Sequence, residues 1–182
     1  QVSHKDYDLP KEVYEFVKEK GFFSFIIPKE YGGLEFSPLG LIYVMAKVGS
    51  RSGTLASMVG VPNSLGPAEL LMHYGTDEQK KDLLPKLASG EHVPCFALTG
   101  PYAGSDATSM PDTGVVCKGE FEGEEIIGIK LNFSKRYITL APIATLIGLA
   151  FKMYDPDNLI GETQNYGITC ALLPKGTNGL ET

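Results

Sequence analysis

The sequence predicts an α+β fold, an amino-terminal helical bundle followed by an antiparallel β domain. Two observations carry that prediction. The first ninety or so residues hold cap and stop signals at helical spacing. After His92-Val93-Pro94 the texture changes to Val, Ile, Phe and Thr runs punctuated by glycine. The expected division is therefore a helical domain over 1–92 and a β domain over 93–182.

The first helix is expected from about Pro10, where a proline at the first helical position loses no needed hydrogen bond, to Lys20 before Gly21. Val13, Phe16 and Val17 then share one buried stripe. Pro28 and Gly32-Gly33 break the next stretch into a loop. Ser37-Pro38 supplies an N-cap and first-turn pair for a helix reaching about Val48, with Leu41 and Met45 on one face. From Thr54 to Met72 the interruptions at Pro62 and Pro67 give two helical pieces with a bend between them. Thr76-Asp77-Glu78-Gln79 has the form of a capping box that opens a helix to about Ala88, stopped by Gly90.

Candidate strands follow at Val93–Leu98, Gly114–Glu120, Glu125–Leu131, Lys135–Thr139, Thr145–Tyr154 and Gly167–Leu173. Phe121-Glu122-Gly123-Glu124 reads as a hairpin connection and Asp155-Pro156-Asp157-Asn158 as a turn. Glu120, Glu122, Glu124 and Glu125 then form a solvated hairpin.

Composition excludes several classes of function. With 182 residues and 43% hydrophobic content the chain can bury a substantial core. A formal charge of -6 and a pI near 5.1 argue against binding nucleic acid through clustered lysine and arginine. Cys95, Cys117 and Cys170 are odd in number and widely spaced, which suits neither a disulfide framework nor a metal site, so a cytoplasmic setting is expected. His4, His73 and His92 stand at no ligand spacing, and no metal is assigned. The apolar run from Ile138 to Met153 is broken by Pro142 and is too short to span a bilayer. The chain opens on Gln1, without the pattern of a signal peptide, which suggests a processed or excised piece.

Two motifs carry the chemistry. Thr99-Gly100-Pro101-Tyr102-Ala103-Gly104-Ser105-Asp106 ends a strand-like run in hydroxyls and residues with little side chain, a form that lets backbone amides approach a flat or anionic ligand. Lys135-Arg136-Tyr137-Ile138-Thr139 places a ring two residues from a hydroxyl, on one face if the segment is a strand. The plainer reading of the pair is a turn with an Asx cap and an ordinary amphipathic strand.

These motifs occur in order with Tyr31-Gly32-Gly33, Asn63-Ser64-Leu65-Gly66 and Tyr74-Gly75-Thr76-Asp77-Glu78-Gln79-Lys80, and the whole series resembles the acyl-CoA dehydrogenase family. Within it, Val61-Pro62-Asn63-Ser64-Leu65-Gly66-Pro67 and Tyr137-Ile138-Thr139-Leu140-Ala141-Pro142 are most similar to the large bacterial fatty-acyl-CoA dehydrogenases of β-oxidation. The resemblance implies FAD as cofactor and a fatty acyl-CoA as substrate, desaturated at its α and β carbons. By position it implies that Phe96, Leu98 and Thr99 line the flavin. Gly104 and Ser105 would meet flavin and bound acyl-CoA, and Tyr137, Ile138 and Thr139 would complete the flavin contacts. It also makes Met58, Val59 and Val61 candidates for lining an acyl tunnel, against the plain alternative of helical core.

The sequence departs from the common family pattern at Gly100, where a Glu is usual, and at Tyr137, where a Trp is usual. The resemblance places the general base, a Glu, on a carboxyl-terminal helical domain beyond Thr182. The chain alone is therefore expected to be catalytically silent, and its parent to be a homo-oligomer that passes electrons to an electron-transfer flavoprotein. A parent at the inner membrane is an alternative to a purely cytoplasmic one. Two other readings stay open, a flavin or acyl-CoA binding module without chemistry and an acyl-CoA oxidase.

Overall fold

The computed structural model describes residues 9–121 and 123–182, which leaves His4 and Glu122 outside the described residues. Its helices are α1 (Lys11–Glu19), α2 (Pro38–Gly49), α3 (Gly53–Gly60), α4 (Pro67–Tyr74) and α5 (Asp77–Ser89). Its strands are β1 (Pro94–Ala97), β2 (Thr113–Phe121), β3 (Glu124–Asn132), β4 (Leu146–Tyr154) and β5 (Asn165–Pro174). Single turns of 3-10 helix lie at Lys29–Tyr31 and Ala107–Ser109.

Helix boundaries follow local hydrogen-bond chemistry. The Ser37 hydroxyl accepts from Gly40 N at 3.2 Å to open α2, and the Ser52 hydroxyl accepts from Leu55 N at 3.2 Å to open α3. The capping box forms in full, with Thr76 Oγ1 accepting from Gln79 N at 3.2 Å and Gln79 Oε1 accepting from Thr76 N at 3.0 Å. Gly90, at φ 72°, ends α5 in the left-handed conformation. Pro10 is the N-cap of α1 and not its first helical residue, because its ψ of 146° is still extended. Phe16 also departs from expectation: it is 51% exposed while Val17 is fully buried, and its ring is held on the surface 5.9 Å from that of Phe22.

By contacts the chain forms two units. One holds the described residues up to Cys95, with Thr139–Ile147 and Pro174–Thr182, and the other holds Phe96–Ile138 and Gly148–Leu173. In the first unit, Val17, Phe23, Phe25, Met58, Val59 and Val93 form a buried cluster against which Leu41, Met45, Leu140 and Ile143 pack.

The segment between α1 and α2 folds back on itself through three backbone bonds: Leu34 N to Ser24 O, Glu35 N to Ile27 O and Phe36 N to Phe25 O. Gly33 makes that return possible. A Cβ there would lie 1.8 Å from the Ile27 carbonyl oxygen, so two backbone segments touch where no side chain fits. Asn63 ties the same segment to α3. Its Oδ1 accepts from Phe25 N at 2.8 Å and from Ile26 N at 3.4 Å, while its Nδ2 donates to Phe22 O at 2.6 Å and Val59 O at 2.9 Å. The Asn63 side chain is itself buried, at 3% exposure, and its donors and acceptor are all spent on backbone that is buried or part-buried.

The sheet runs in the order β1-β4-β2-β3, with β5 also pairing with β4. β2 and β3 form the expected antiparallel hairpin, in register from Thr113 opposite Asn132 to Phe121 opposite Glu124. The sheet is not antiparallel throughout, however, since β2 and β4 run parallel from Thr113 opposite Lys152 to Val115 opposite Tyr154. The chain between β3 and β4 carries it across before β4 inserts beside β2, and a parallel neighbour needs such a crossover. β4 is buried from Leu146 through Phe151, as a central strand should be. After it, the buried Asp155 carboxylate accepts from Leu159 N and Ile160 N, both at 2.9 Å, and closes the expected turn.

Two substitutions probe the back-folded segment. Gly33→Ala should destabilise the chain by about 3 kcal/mol or more, since neither backbone can yield; a melting temperature within a degree or so of the parent would contradict the close approach. Asn63→Ala should cost about 2–4 kcal/mol in chemical denaturation by leaving buried amides and carbonyls unpaired.

Candidate functional site

The Thr99 loop leaves β1 and is pinned at both ends. Gly100 N donates to Ala103 O at 3.0 Å, which makes a tight turn, and Ala103 and Met110 are buried against Ala150 with Phe96 and Leu98 packed on the same cluster. Asp106 turns inward on its own loop. Its carboxylate accepts from the hydroxyls of Thr108 and Ser109, and those bonds, the one from Ser109 first, hold it below the usual range for an aspartate. The Asx-type cap of the plainer reading does not form, since the short 3-10 turn that follows has no side-chain cap; the carboxylate takes the two hydroxyls instead, and those bonds order the loop.

The expected strand at Lys135–Thr139 does not form. These residues make a bend between β3 and β4, with Tyr137 at φ 64° and Leu140 at φ 69°. A non-glycine residue held in that region carries strain, so the alternation that would place Tyr137 and Thr139 on one face of a strand does not apply. The cause lies in how the segment is tethered. Arg136 N donates to Thr99 O at 3.2 Å, joining the two motifs through their backbones. Lys135 Nζ donates to Leu98 O at 2.9 Å and to Asp112 Oδ2 at 2.6 Å, and Asp112 Oδ1 accepts from Ser134 N at 2.9 Å. The Lys135 and Asp112 side chains are 4% and 2% exposed.

Gly100, one of the two departures from the family pattern, has a structural reason here. A Cβ at that position would sit 3.1 Å from the Ser134 carbonyl oxygen, so the 134–136 segment passes too close for any larger residue without adjustment. Tyr137, the other departure, stands 77% exposed with the Arg136 guanidinium 4.7 Å from its ring centroid.

The remaining candidates fall as follows. Gly104 and Ser105 are exposed, and a Cβ on Gly104 would meet nothing within 4 Å. The hydroxyls of Thr99 and Ser105 have no protein partner among the described residues, nor does that of Thr139, which belongs to the first unit with Leu140 and Ile143. Ile138 is half-buried. In the first unit, Met58 and Val59 are 2% and 0% exposed within the hydrophobic cluster, and Val61 is half-buried at the end of α3. Asn63 is a structural clamp.

Sequence reasoning missed Asp112 and Lys135 as a pair. Pro111-Asp112-Thr113 reads as turn chemistry, and nothing in the 23 positions that separate the two residues announces that the carboxylate meets an ammonium. Their neighbours give no common signal, since Pro111, Ser134 and Arg136 are exposed and Thr113 is half-buried.

Burial pushes the Cys95 thiol up to about 11, which keeps it protonated. Among the described residues no group of three His, Cys, Asp or Glu could hold a metal ion, and no helix is long and apolar enough to cross a membrane.

A family model described as the acyl-CoA dehydrogenase N-terminal domain matches residues 1–91, half of the chain. The chain belongs to the acyl-CoA dehydrogenase family. Among relatives, a 3-(aryl)acrylate reductase of Clostridium sporogenes is 37% identical over 140 residues, covering 77% of this chain and 35% of its own. An acyl-CoA dehydrogenase of Bacillus subtilis is 28% identical over 179 residues, covering 98% of this chain and 43% of its own. A solved acyl-CoA dehydrogenase from Bacillus anthracis, complexed with FAD, superposes with a TM-score of 0.73 at 28% identity, over 92% of this chain and 26% of that one. The chain thus spans less than half of the length of these family members.

Within the family, what this chain presents in the two segments is an exposed aromatic ring at positive φ, the unpartnered hydroxyls of Thr99 and Ser105, and an unobstructed glycine. If Tyr137 is kept at positive φ for a ligand, stability is being given up there. Tyr137→Gly should leave the ligand-free chain as stable or more stable by up to about 1 kcal/mol, checked by denaturant melts, and a clear loss of stability would show the ring to be a packing residue.

Proposed function

We propose that this chain is the amino-terminal and middle portion of an FAD-dependent acyl-CoA dehydrogenase that desaturates fatty acyl-CoA to trans-2-enoyl-CoA in β-oxidation. The single observation that carries the reading is the backbone bond from Arg136 N to Thr99 O, which joins the two motifs the family uses on its flavin. The residues around that bond suit a flat, polar-edged ring. Thr99 and Ser105 offer free hydroxyls, Gly104 leaves backbone accessible, and the Tyr137 ring offers a face for stacking.

Removing hydrogen from the α and β carbons requires a base for the proton and an acceptor for the hydride. Side chains do not accept hydride, and FAD supplies that chemistry when bound. The protein's share is to hold the ring, hydrogen-bond its polar edge through Thr99, and keep the thioester beside it at Ser105. On this reading the base lies outside these residues and an electron-transfer flavoprotein takes the electrons onward. The similarity to a reductase leaves the direction of physiological flow to experiment.

The test is made on the full-length protein. It should purify yellow or take up FAD, and its visible flavin absorbance should bleach when a saturated acyl-CoA is added, with enoyl-CoA as product. Absence of flavin uptake would sink the reading. Bleaching accompanied by peroxide would move it to an oxidase, and flavin uptake without bleaching by any acyl-CoA to a binding module. The present chain alone should give no enoyl-CoA, and turnover by it would place the base within these residues.

A further inference from the structure

The second unit contains a buried ion pair that the desaturation chemistry does not use, between Asp112 and Lys135, the residue that opens the second motif. Asp112 is fixed to the sheet through its backbone, its carbonyl accepting from Lys152 N of β4 at 2.9 Å. Its side chain then reaches away from the sheet. One carboxylate oxygen takes the Ser134 amide and the other takes Lys135 Nζ, which in turn bonds the Leu98 carbonyl, the last before Thr99. A continuous path therefore runs from a central strand through two buried charges into both candidate flavin segments. Beside it, a Cβ on Gly100 would lie 3.1 Å from Ser134 O, and Arg136 N bonds Thr99 O.

Stability alone is a poor reason for such a pair. Burying both charges costs several kcal/mol that their attraction only about repays, and apolar residues of similar volume often serve as well or better. What a charge pair supplies and a greasy one does not is direction: Lys135 can satisfy its donors only if Leu98 O and Asp112 Oδ2 stand at one distance from each other.

We propose that Lys135 and Asp112 are positioning residues that set the spacing between the Thr99 loop and the Arg136-Tyr137 segment, and so the environment of a flavin ring bound there. This rests on the flavin reading above. Neither residue touches the cofactor on this proposal; Lys135 acts through the Leu98 carbonyl and Asp112 through the Ser134 amide. The pair also accounts for the left-handed Tyr137, because Lys135 is drawn inward while Arg136 is held to Thr99 O, and the chain must turn sharply at the next residue.

The experiment uses the full-length protein carrying the double substitution Asp112→Asn with Lys135→Met. Removing both charges leaves no unpaired buried ion, and the carboxamide that replaces the carboxylate would still accept from Ser134 N, so the fold should survive by far-UV circular dichroism and melting. FAD affinity of the apoprotein should fall about ten-fold or more, as loss of a charge-assisted tether allows. The visible circular dichroism of the bound flavin and its reduction potential should shift from the wild-type values, readouts that a merely structural role would leave alone.

A folded double variant with wild-type affinity, flavin dichroism and potential overturns the proposal while the flavin reading stands. A wild-type protein that takes up no flavin overturns both. Should the double variant fail to fold, Lys135→Arg decides the matter. It keeps both charges but replaces a point donor by a planar fork, so the flavin dichroism should shift in a folded protein, and an unchanged spectrum there counts against the pair.

Discussion

The second unit is organised around one carboxylate. Asp112 stands where β2 begins beside β4, and its main chain and side chain point to different tasks: the carbonyl belongs to the sheet and the carboxylate to the loops. The local β2–β4 pairing is only three residues long and parallel, starting at Thr113, immediately after it. A short parallel pairing leaves little ladder to hold the adjoining loops, and loops with few backbone bonds are mobile unless something ties them down. Here the tie is an ion pair withdrawn from water, where its hydrogen bonds gain strength from the low local dielectric.

The first unit solves a comparable problem without charge. Its segment between α1 and α2 has no regular secondary structure apart from one 3-10 turn, yet it contributes Phe23 and Phe25 to the core. Such a segment can be buried only if its backbone groups are paired. Asn63 pairs three of them from one side chain, and the return through Gly33 pairs others within the segment. Two family motifs, Tyr31-Gly32-Gly33 and Asn63-Ser64-Leu65-Gly66, are thus explained by backbone satisfaction at close quarters before any ligand is invoked. The Thr99 and Arg136-Tyr137 segments differ in kind: the hydroxyls of Thr99 and Ser105, Gly104 and the exposed Tyr137 ring are left unspent by the fold.

That contrast separates residues the fold consumes from residues it leaves available. Gly100 is consumed, and so is Asp106, whose carboxylate is occupied by its own loop. Ser105, Thr99 and Tyr137 are available.

Much was legible in the sequence because it depends on neighbours a few residues apart. Ser37, Thr76 and Gly90 mark helix ends through bonds spanning one turn, the Phe121–Glu124 connection closes a local hairpin, and the change of texture at His92-Val93-Pro94 marks the passage from helix to sheet. What the sequence could not decide depends on partners far along the chain. Strand propensity at Lys135–Thr139 lost to tethers reaching Thr99, Leu98 and Asp112, and the parallel placement of β4 beside β2 arose from the path of the chain between β3 and β4. Local periodicity reports on bonds within a turn or a pleat. The meeting of Asp112 with Lys135 is a long-range closure, set by where the sheet delivers each segment, and only the tertiary structure decides that.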